Sequence, residues 1–379
     1  MEHEISGPGP LLTEEGRLRE PGWSDSPILA YDREAIRSPA WRIKEWDYYC
    51  ILSRDVGIAL TVADNGYMGL LSATVFDFSV PAETSDSVMT LFPMGRWGLP
   101  SSSVSGLTEV EAGGASMSFS AADGSRKLKF SWPSFGAKGG PRAPVGLEGV
   151  LDLEEEPGRA SMVIATPFKR PRRGFYYNQK INCQSVRGRF GFGSREIGLE
   201  KGEAFAVLDW GRGVWPWSNS WLWGSASGVA RCVAIGDADC TKPDVAARGA
   251  ISDANRGGNG FARCGASFGF NIGYGFGDTG AASENMVFYG GKAHKIGRLR
   301  IDLDERDFMR PWHAVSEDER LDMTLEPLLD RTSKTDLGLL ASIQHQVFGS
   351  WKGYAILDDG SRVEVEDLRG FCEKVVNRW

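Results

Sequence analysis

Phe268-Gly269-Phe270-Asn271-Ile272-Gly273-Tyr274-Gly275-Phe276-Gly277-Asp278 decides how the rest of this chain is read. Taken as one extended strand, its side chains alternate between two faces. Phe268, Phe270, Ile272, Tyr274 and Phe276 then form an apolar ladder on one face. Gly269, Asn271, Gly273, Gly275 and Gly277 leave the other face almost bare. Glycine weakens a strand and marks close approach by a ligand or a bulky neighbour. Either a ligand reaches that face, or aromatic side chains of an adjacent sheet fill it.

The same β signal recurs on both sides of this stretch. Ile58 to Leu71 holds two apolar runs around Asp64-Asn65-Gly66, a strong hairpin signal. Turn residues divide similar runs at Ala122-Asp123-Gly124, at Gly290-Gly291 (Met286–Tyr289, then Lys292–Ile301) and at Asp358-Asp359-Gly360. Such punctuation predicts an all-β chain of two antiparallel barrels or sandwiches. Helical periodicity is scarce. A short C-terminal helix over Leu368–Val376 is expected, with a second helical piece near Asp336–Ile343. Residues 1–40, rich in Pro, Gly and charge, read as an arm laid over the body. A boundary near Gly193–Gly202 gives a first β domain over 41–195 and a second over 196–379.

The 379 residues suffice for two such domains. A net charge of −7 argues against a nucleic-acid partner. The basic run Lys169-Arg170-Pro171-Arg172-Arg173 reads as a solvated loop. Six scattered cysteines form no C-x-x-C pair, and the four histidines have no metal-ligand spacing, so no structural zinc site is expected; no cofactor is required, and a metal held by carboxylates alone stays open. This cysteine usage fits a reducing compartment, and no signal peptide or membrane span is legible, which points to the cytoplasm. The sequence gives no oligomeric state.

The block from Phe175 to Tyr289 carries the candidate chemistry. Asp209 ends an apolar run immediately before Trp210-Gly211-Arg212-Gly213-Val214-Trp215-Pro216-Trp217, and Glu284 precedes Asn285-Met286-Val287-Phe288-Tyr289. A carboxyl among aromatic rings is desolvated, which raises its pKa and suits it to donate protons. Asp209 and Glu284 are therefore the candidate catalytic acids. Trp210, Trp215, Trp221, Trp223 and Tyr274 are candidates to wall a pocket, although buried tryptophans also serve as plain core. Arg212 could stack on an indole or bind a carboxylate or phosphate. Tyr176, Tyr177, Asn182 and Asn271 could orient a ligand. His345 stands between Gln344 and Gln346, and Asp278 follows a run of glycines, where a turn role competes with a ligand role.

Several motifs resemble those of the domain of unknown function 2804 family: Trp46-Asp47-Tyr48-Tyr49, Phe175-Tyr176-Tyr177-Asn178, Lys180-Ile181-Asn182-Cys183, Asp209-Trp210-Gly211-Arg212-Gly213, Gly269 to Asp278 and Glu373 to Trp379. The resemblance spans nearly the whole chain. At fold level the chain also resembles two-barrel, lipocalin-like carotenoid hydratases and cyclases. That resemblance implies an acid in an aromatic-lined barrel protonating an alkene, with aromatic faces steadying the cation. Three functions stay open: an acid-catalysed hydratase, cyclase or isomerase for a lipophilic, isoprenoid-like small molecule; a carrier of a lipid or pigment; and a glycoside hydrolase or glycan binder using paired carboxylates and tryptophans.

Overall fold

A computed structural model describes residues 2–140, 143–156, 158–170, 172–230, 265–336 and 341–378. It is all-β: a nearly closed ten-strand barrel followed by a curled nine-strand half-barrel. Three 3₁₀ turns, at Arg33–Ala35, Ala40–Arg42 and Ala137–Gly139, are the helical elements among the described residues. None of the described residues forms a helix long and apolar enough to cross a membrane.

The hairpins form where the turn chemistry places them. Val56–Asp64 pairs with Met68–Asp77, and Ala115–Ala122 pairs with Ser125–Trp132. Asp123 (φ 51°) and Gly124 (φ 74°) both take the left-handed conformation that matches the twist of a two-residue hairpin. Gly290 and Gly291 do the same between Met286–Tyr289 and Lys292–Lys295. That last strand ends at Lys295, short of the expected Ile301. Leu299–Asp302 is a separate strand at the opposite edge of the half-barrel.

The barrel runs in spatial order from Ala82–Leu91 through Met68–Asp77, Val56–Asp64, Ile43–Leu52, Phe205–Val214, Phe175–Phe192, Leu147–Glu154, Ser125–Trp132 and Ala115–Ala122 to Gly106–Ala112. Phe205–Val214, expected in the second unit, therefore lies in the middle of the first sheet. The chain crosses to the half-barrel between Val214 and Ser218, where Pro216 cannot donate to a ladder. The half-barrel is centred on Ser218–Val229, Arg362–Arg378 and Ala341–Ile356.

The expected C-terminal helix is instead part of the strand Arg362–Arg378. Strands bind it along both edges, and Gly370 is pressed so closely that a Cβ would meet Ser225 O at 2.5 Å. Two-sided pairing overrides a weak local preference. The helical piece expected near Asp336–Ile343 falls partly on 337–340, outside the described residues; its described ends are strand instead, Asp336 closing Leu321–Asp336 and Ala341 to Ile343 opening Ala341–Ile356, where cross-strand pairing wins.

Each barrel has its own apolar core. The two bodies meet through aromatic clusters: Phe76, Phe78, Phe348, Phe371 and Trp223 in one, Tyr176, Trp215 and Phe276 in another. Phe76 and Phe348 approach to 4.3 Å between centroids. Such pairs add about 0.5–1.5 kcal/mol beyond the area they bury. The interior of the first barrel is partly polar. Arg212, fully buried, lies 3.1 Å from Asp47 and donates to the carbonyls of Trp46 and Pro100. Its guanidinium sits 4.2 Å from the Trp210 ring.

Removing the cation would leave the Asp47 carboxylate buried with Thr108 as its remaining side-chain partner. Arg212→Met should therefore cost about 3–5 kcal/mol of unfolding free energy in urea titrations. A loss under about 1 kcal/mol would show that water reaches Asp47 and replaces the pair.

Candidate functional site

Alternation along three adjacent barrel strands builds the site. In Phe175–Phe192 the odd residues Phe175, Tyr177 and Ile181 point into the barrel, while Tyr176, Asn178, Lys180 and Asn182 point at the half-barrel. In Phe205–Val214, Leu208, Trp210 and Val214 point inward, and Asp209 points outward with Gly211 and Gly213. In Ile43–Leu52 the outward residues include Trp46 and Tyr48. Gly211 lies directly opposite Trp46 in the register, and a Cβ there would fall 1.9 Å from the indole. The glycine lets Trp46 lie flat across the sheet.

The outward face is covered by Trp221, Trp223, Glu373, Gln344 and Gln346 of the half-barrel. Between the two bodies remains a cavity of about 230 Å³. Asp209 and Glu284, the two acids singled out in the sequence, both line it, with Tyr176, Trp215, Trp221 and Trp223. The expected pocket exists, but it lies between the sheets, outside the lumen of either barrel.

The ionisable groups are arranged unequally. Lys180 Nζ is 2.8 Å from Asp209 Oδ2 and 3.7 Å from the centre of the Trp223 ring. Asn178 donates to the other Asp209 oxygen at 2.6 Å. Glu284 is buried, and burial pushes its carboxyl above the ordinary carboxylate range; Lys180 opposes that shift and the Asp209 charge adds to it. Glu373, which the sequence analysis passed over, shows the same upward shift from burial, opposed by hydrogen bonds from Trp221 (2.7 Å) and Gln344 (2.9 Å). The Tyr176 phenol is held well above its usual range, first by burial and then by the charges of Asp209, Glu284 and Glu373. Its hydroxyl has no hydrogen-bond partner among the described residues.

The other candidates lie elsewhere. Trp210 and Arg212 sit inside the first barrel, where Arg212 already has its carboxylate partner. Tyr177 is inside too and donates to Leu29 O at 2.8 Å. Asn182 joins the two bodies by donating to Ser225 Oγ at 2.8 Å and Phe270 O at 3.0 Å. Asn271 fixes Trp223 through its indole N–H at 2.6 Å and binds the Glu284 carbonyl at 2.8 Å, so it positions two lining residues without lining the cavity. Tyr274 packs on the half-barrel core. Asp278 is exposed and accepts from Gly280 N at 3.1 Å, a turn role. His345 pairs with Asp330 at 2.7 Å and stacks on Phe308. Strand alternation places its neighbours Gln344 and Gln346 in the cavity instead.

The bare glycine face of Ser267–Tyr274 is filled by protein. A Cβ on Gly269 would meet Cys183 Sγ at 2.5 Å, and one on Gly273 would meet Glu284 Oε1 at 2.7 Å. The apolar ladder also stops early. Gly275, at φ +99°, turns the chain and sends Phe276 into the cavity wall, away from the core that holds Phe268, Phe270 and Ile272. Among the described residues no group of three or more His, Cys, Asp or Glu side chains is placed to hold a metal ion.

Known proteins offer a family and a set of distant likenesses. The sequence profile of the family described as "Domain of unknown function (DUF2804)" matches residues 2–379. No curated protein matches the sequence. Among solved structures the chain is similar to CghA (9% identity, TM-score 0.46, covering 94% of this chain and 95% of that one). It is similar to a putative AttH from Nitrosomonas europaea (12%, 0.42, 92% and 98%). It is also similar to kievitone hydratase from Nectria haematococca (8%, 0.44, 89% and 88%). At such identities and scores these likenesses assign no activity.

Because the folded state raises the Glu284 pKa above 4.5, it binds that proton more tightly than the unfolded chain does. The resulting stabilisation is complete below about 4.5 and is lost as pH rises through the raised value. Glu284→Gln, neutral at every pH, should therefore raise the melting temperature relative to the parent protein more at pH 8 than at pH 5. Equal differences at the two pH values would mean that Glu284 is solvated.

Proposed function

The chain belongs to the DUF2804 family, and from the geometry of its inter-sheet cavity we propose that it is an acid catalyst that hydrates, cyclises or isomerises a lipophilic small molecule. The observation that carries this is Glu284: a buried carboxyl biased toward its protonated form, in a cavity walled by Trp46, Trp215, Trp221, Trp223 and Phe276. The Asp209 oxygens are occupied by Lys180 and Asn178, and those of Glu373 by Trp221 and Gln344, which leaves Glu284 as the donor.

In the proposed step the Glu284 carboxylic acid gives its proton to one carbon of a C=C bond. The positive charge left on the neighbouring carbon faces the indoles, whose π-clouds attract cations. In hydration, water adds to that carbon and its extra proton returns to the Glu284 carboxylate. If the same carboxylate removes a proton from an adjacent carbon instead, the double bond shifts. If a second C=C of the substrate attacks, a ring closes. The Tyr176 hydroxyl, without a hydrogen-bond partner among the described residues, would orient the water or an oxygen of the substrate.

The glycan reading is weaker. Stacking on sugars needs open indole faces, whereas Lys180 covers Trp223 and Tyr176 stacks on Trp46 at 5.9 Å. A carrier needs the same walls without the acids, and the test separates the two.

The protein, incubated in D₂O with a panel of isoprenoid and phenolic alkenes, should yield a hydrated, cyclised or deuterium-labelled product by mass spectrometry. Glu284→Gln should slow that conversion by about 10²–10⁴-fold. Full activity in both Glu284→Gln and Asp209→Asn, or a bound alkene that persists unaltered in the parent protein, would overturn acid catalysis.

A further inference from the structure

The register of the two sheets orders the cavity from one end to the other. Across the half-barrel, Trp223, Glu373, Gln346 and Arg331 are successive partners on four neighbouring strands. Across the barrel, Lys180, Asp209, Tyr48, Thr61 and Ser72 are successive partners on five. All of them line the cavity. The two rows face each other in the same order. Lys180 sits on Trp223, and Gln346 donates to the Tyr48 hydroxyl at 3.1 Å. With strands about 4.8 Å apart, Arg331 lies about 14 Å from Trp223 at the backbone. Glu284 touches the strand position of Gly273, the partner of Trp223, so the acid and the guanidinium mark opposite ends.

Among the described residues two cations line the cavity, and they differ in what they hold. Lys180 is paired with Asp209. Arg331 donates from Nη1 to Gln346 Oε1 at 2.9 Å, and among the described residues no carboxylate pairs with it. Among the described residues its Nε and Nη2 have no hydrogen-bond partner. The guanidinium's remaining donors lie in one plane and match a carboxylate, which accepts two parallel hydrogen bonds.

We propose that the substrate is a lipophilic carboxylic acid, bound with its carboxylate on Arg331 and its chain running past Thr61 and Tyr48, then between Asp209 and Glu373, to Glu284. This rests on the preceding section for the choice of cavity, and it adds the headgroup. Arg331 acts as a specificity-determining residue, rewarding an anion at the distal end while Glu284 works on carbon at the other.

The test titrates the full chain with decanoate and with decanol, reading the fluorescence of the cavity tryptophans. The parent protein should bind decanoate at least about tenfold more tightly than decanol, the scale of one charge-assisted hydrogen-bonded pair. Arg331→Gln should abolish the difference and leave decanol affinity unchanged; Arg331→Lys, which keeps the charge without the fork, should restore part of it. Equal affinities in the parent, or a preference that survives in Arg331→Gln, would overturn the headgroup assignment while the cavity stands as a lipophilic site. A folded Arg331→Gln that loses both ligands would overturn it too, since Arg331 would then be shaping the cavity. Failure of the parent to bind either ligand would overturn the cavity reading, and this assignment with it.

Discussion

A barrel strand ordinarily turns one face to its core and the other to water. Here the outward face of Phe175–Phe192, Phe205–Val214 and Ile43–Leu52 is covered by a second sheet, and the rest of the site follows from that covering. Lys180 and Asp209 are cross-strand partners on the covered face, so both are largely withdrawn from bulk water and each holds the other. A buried pair of this kind survives only if the remaining polar atoms are also satisfied. Asn178 on one carboxylate oxygen and the Trp223 ring under the ammonium meet that requirement.

The covering also sets the protonation of the remaining acids. Lys180 is committed to Asp209, so among the described residues Glu284 and Glu373 share the cavity without a dedicated cation, and burial drives both toward the neutral acid. The aromatic clusters that glue the bodies together serve as the cavity's apolar wall as well. Phe276 shows the economy of this arrangement: it meets Tyr176, Trp215 and Trp221 edge-on, at 4.6–5.1 Å. Cohesion between the bodies and the low polarity around Glu284 thus depend on the same rings.

Much of this was legible in the chain. Asn65-Gly66, Asp123-Gly124 and Gly290-Gly291 announce hairpins because only certain residues accept a positive φ cheaply. Asp209 and Glu284 stand out because acids are rare among so many rings, and both do line one cavity. Trp210, Arg212 and His345 miss the cavity for one shared reason. Trp210 and Arg212 flank the chosen acid within three residues, yet an odd separation along a strand sends a side chain to the opposite face. His345 looked informative for its flanking amides, and the same rule places the amides in the cavity and the imidazole outside it. Glu373 and Lys180 were invisible as site residues because their meaning comes from partners 152 and 29 positions away in the chain, Trp221 and Asp209.

The sequence alone determined that the chain is β-rich, where several of its hairpins turn, and that two acids lie among aromatic rings, because turn conformation, period-two alternation and composition are local properties. Only the tertiary structure decided that the C-terminal segment is a strand, that the pocket opens between the sheets, and which acid keeps a cation. Those outcomes depend on register between distant strands and on which faces are withdrawn from water, and neither is encoded in any single stretch of residues.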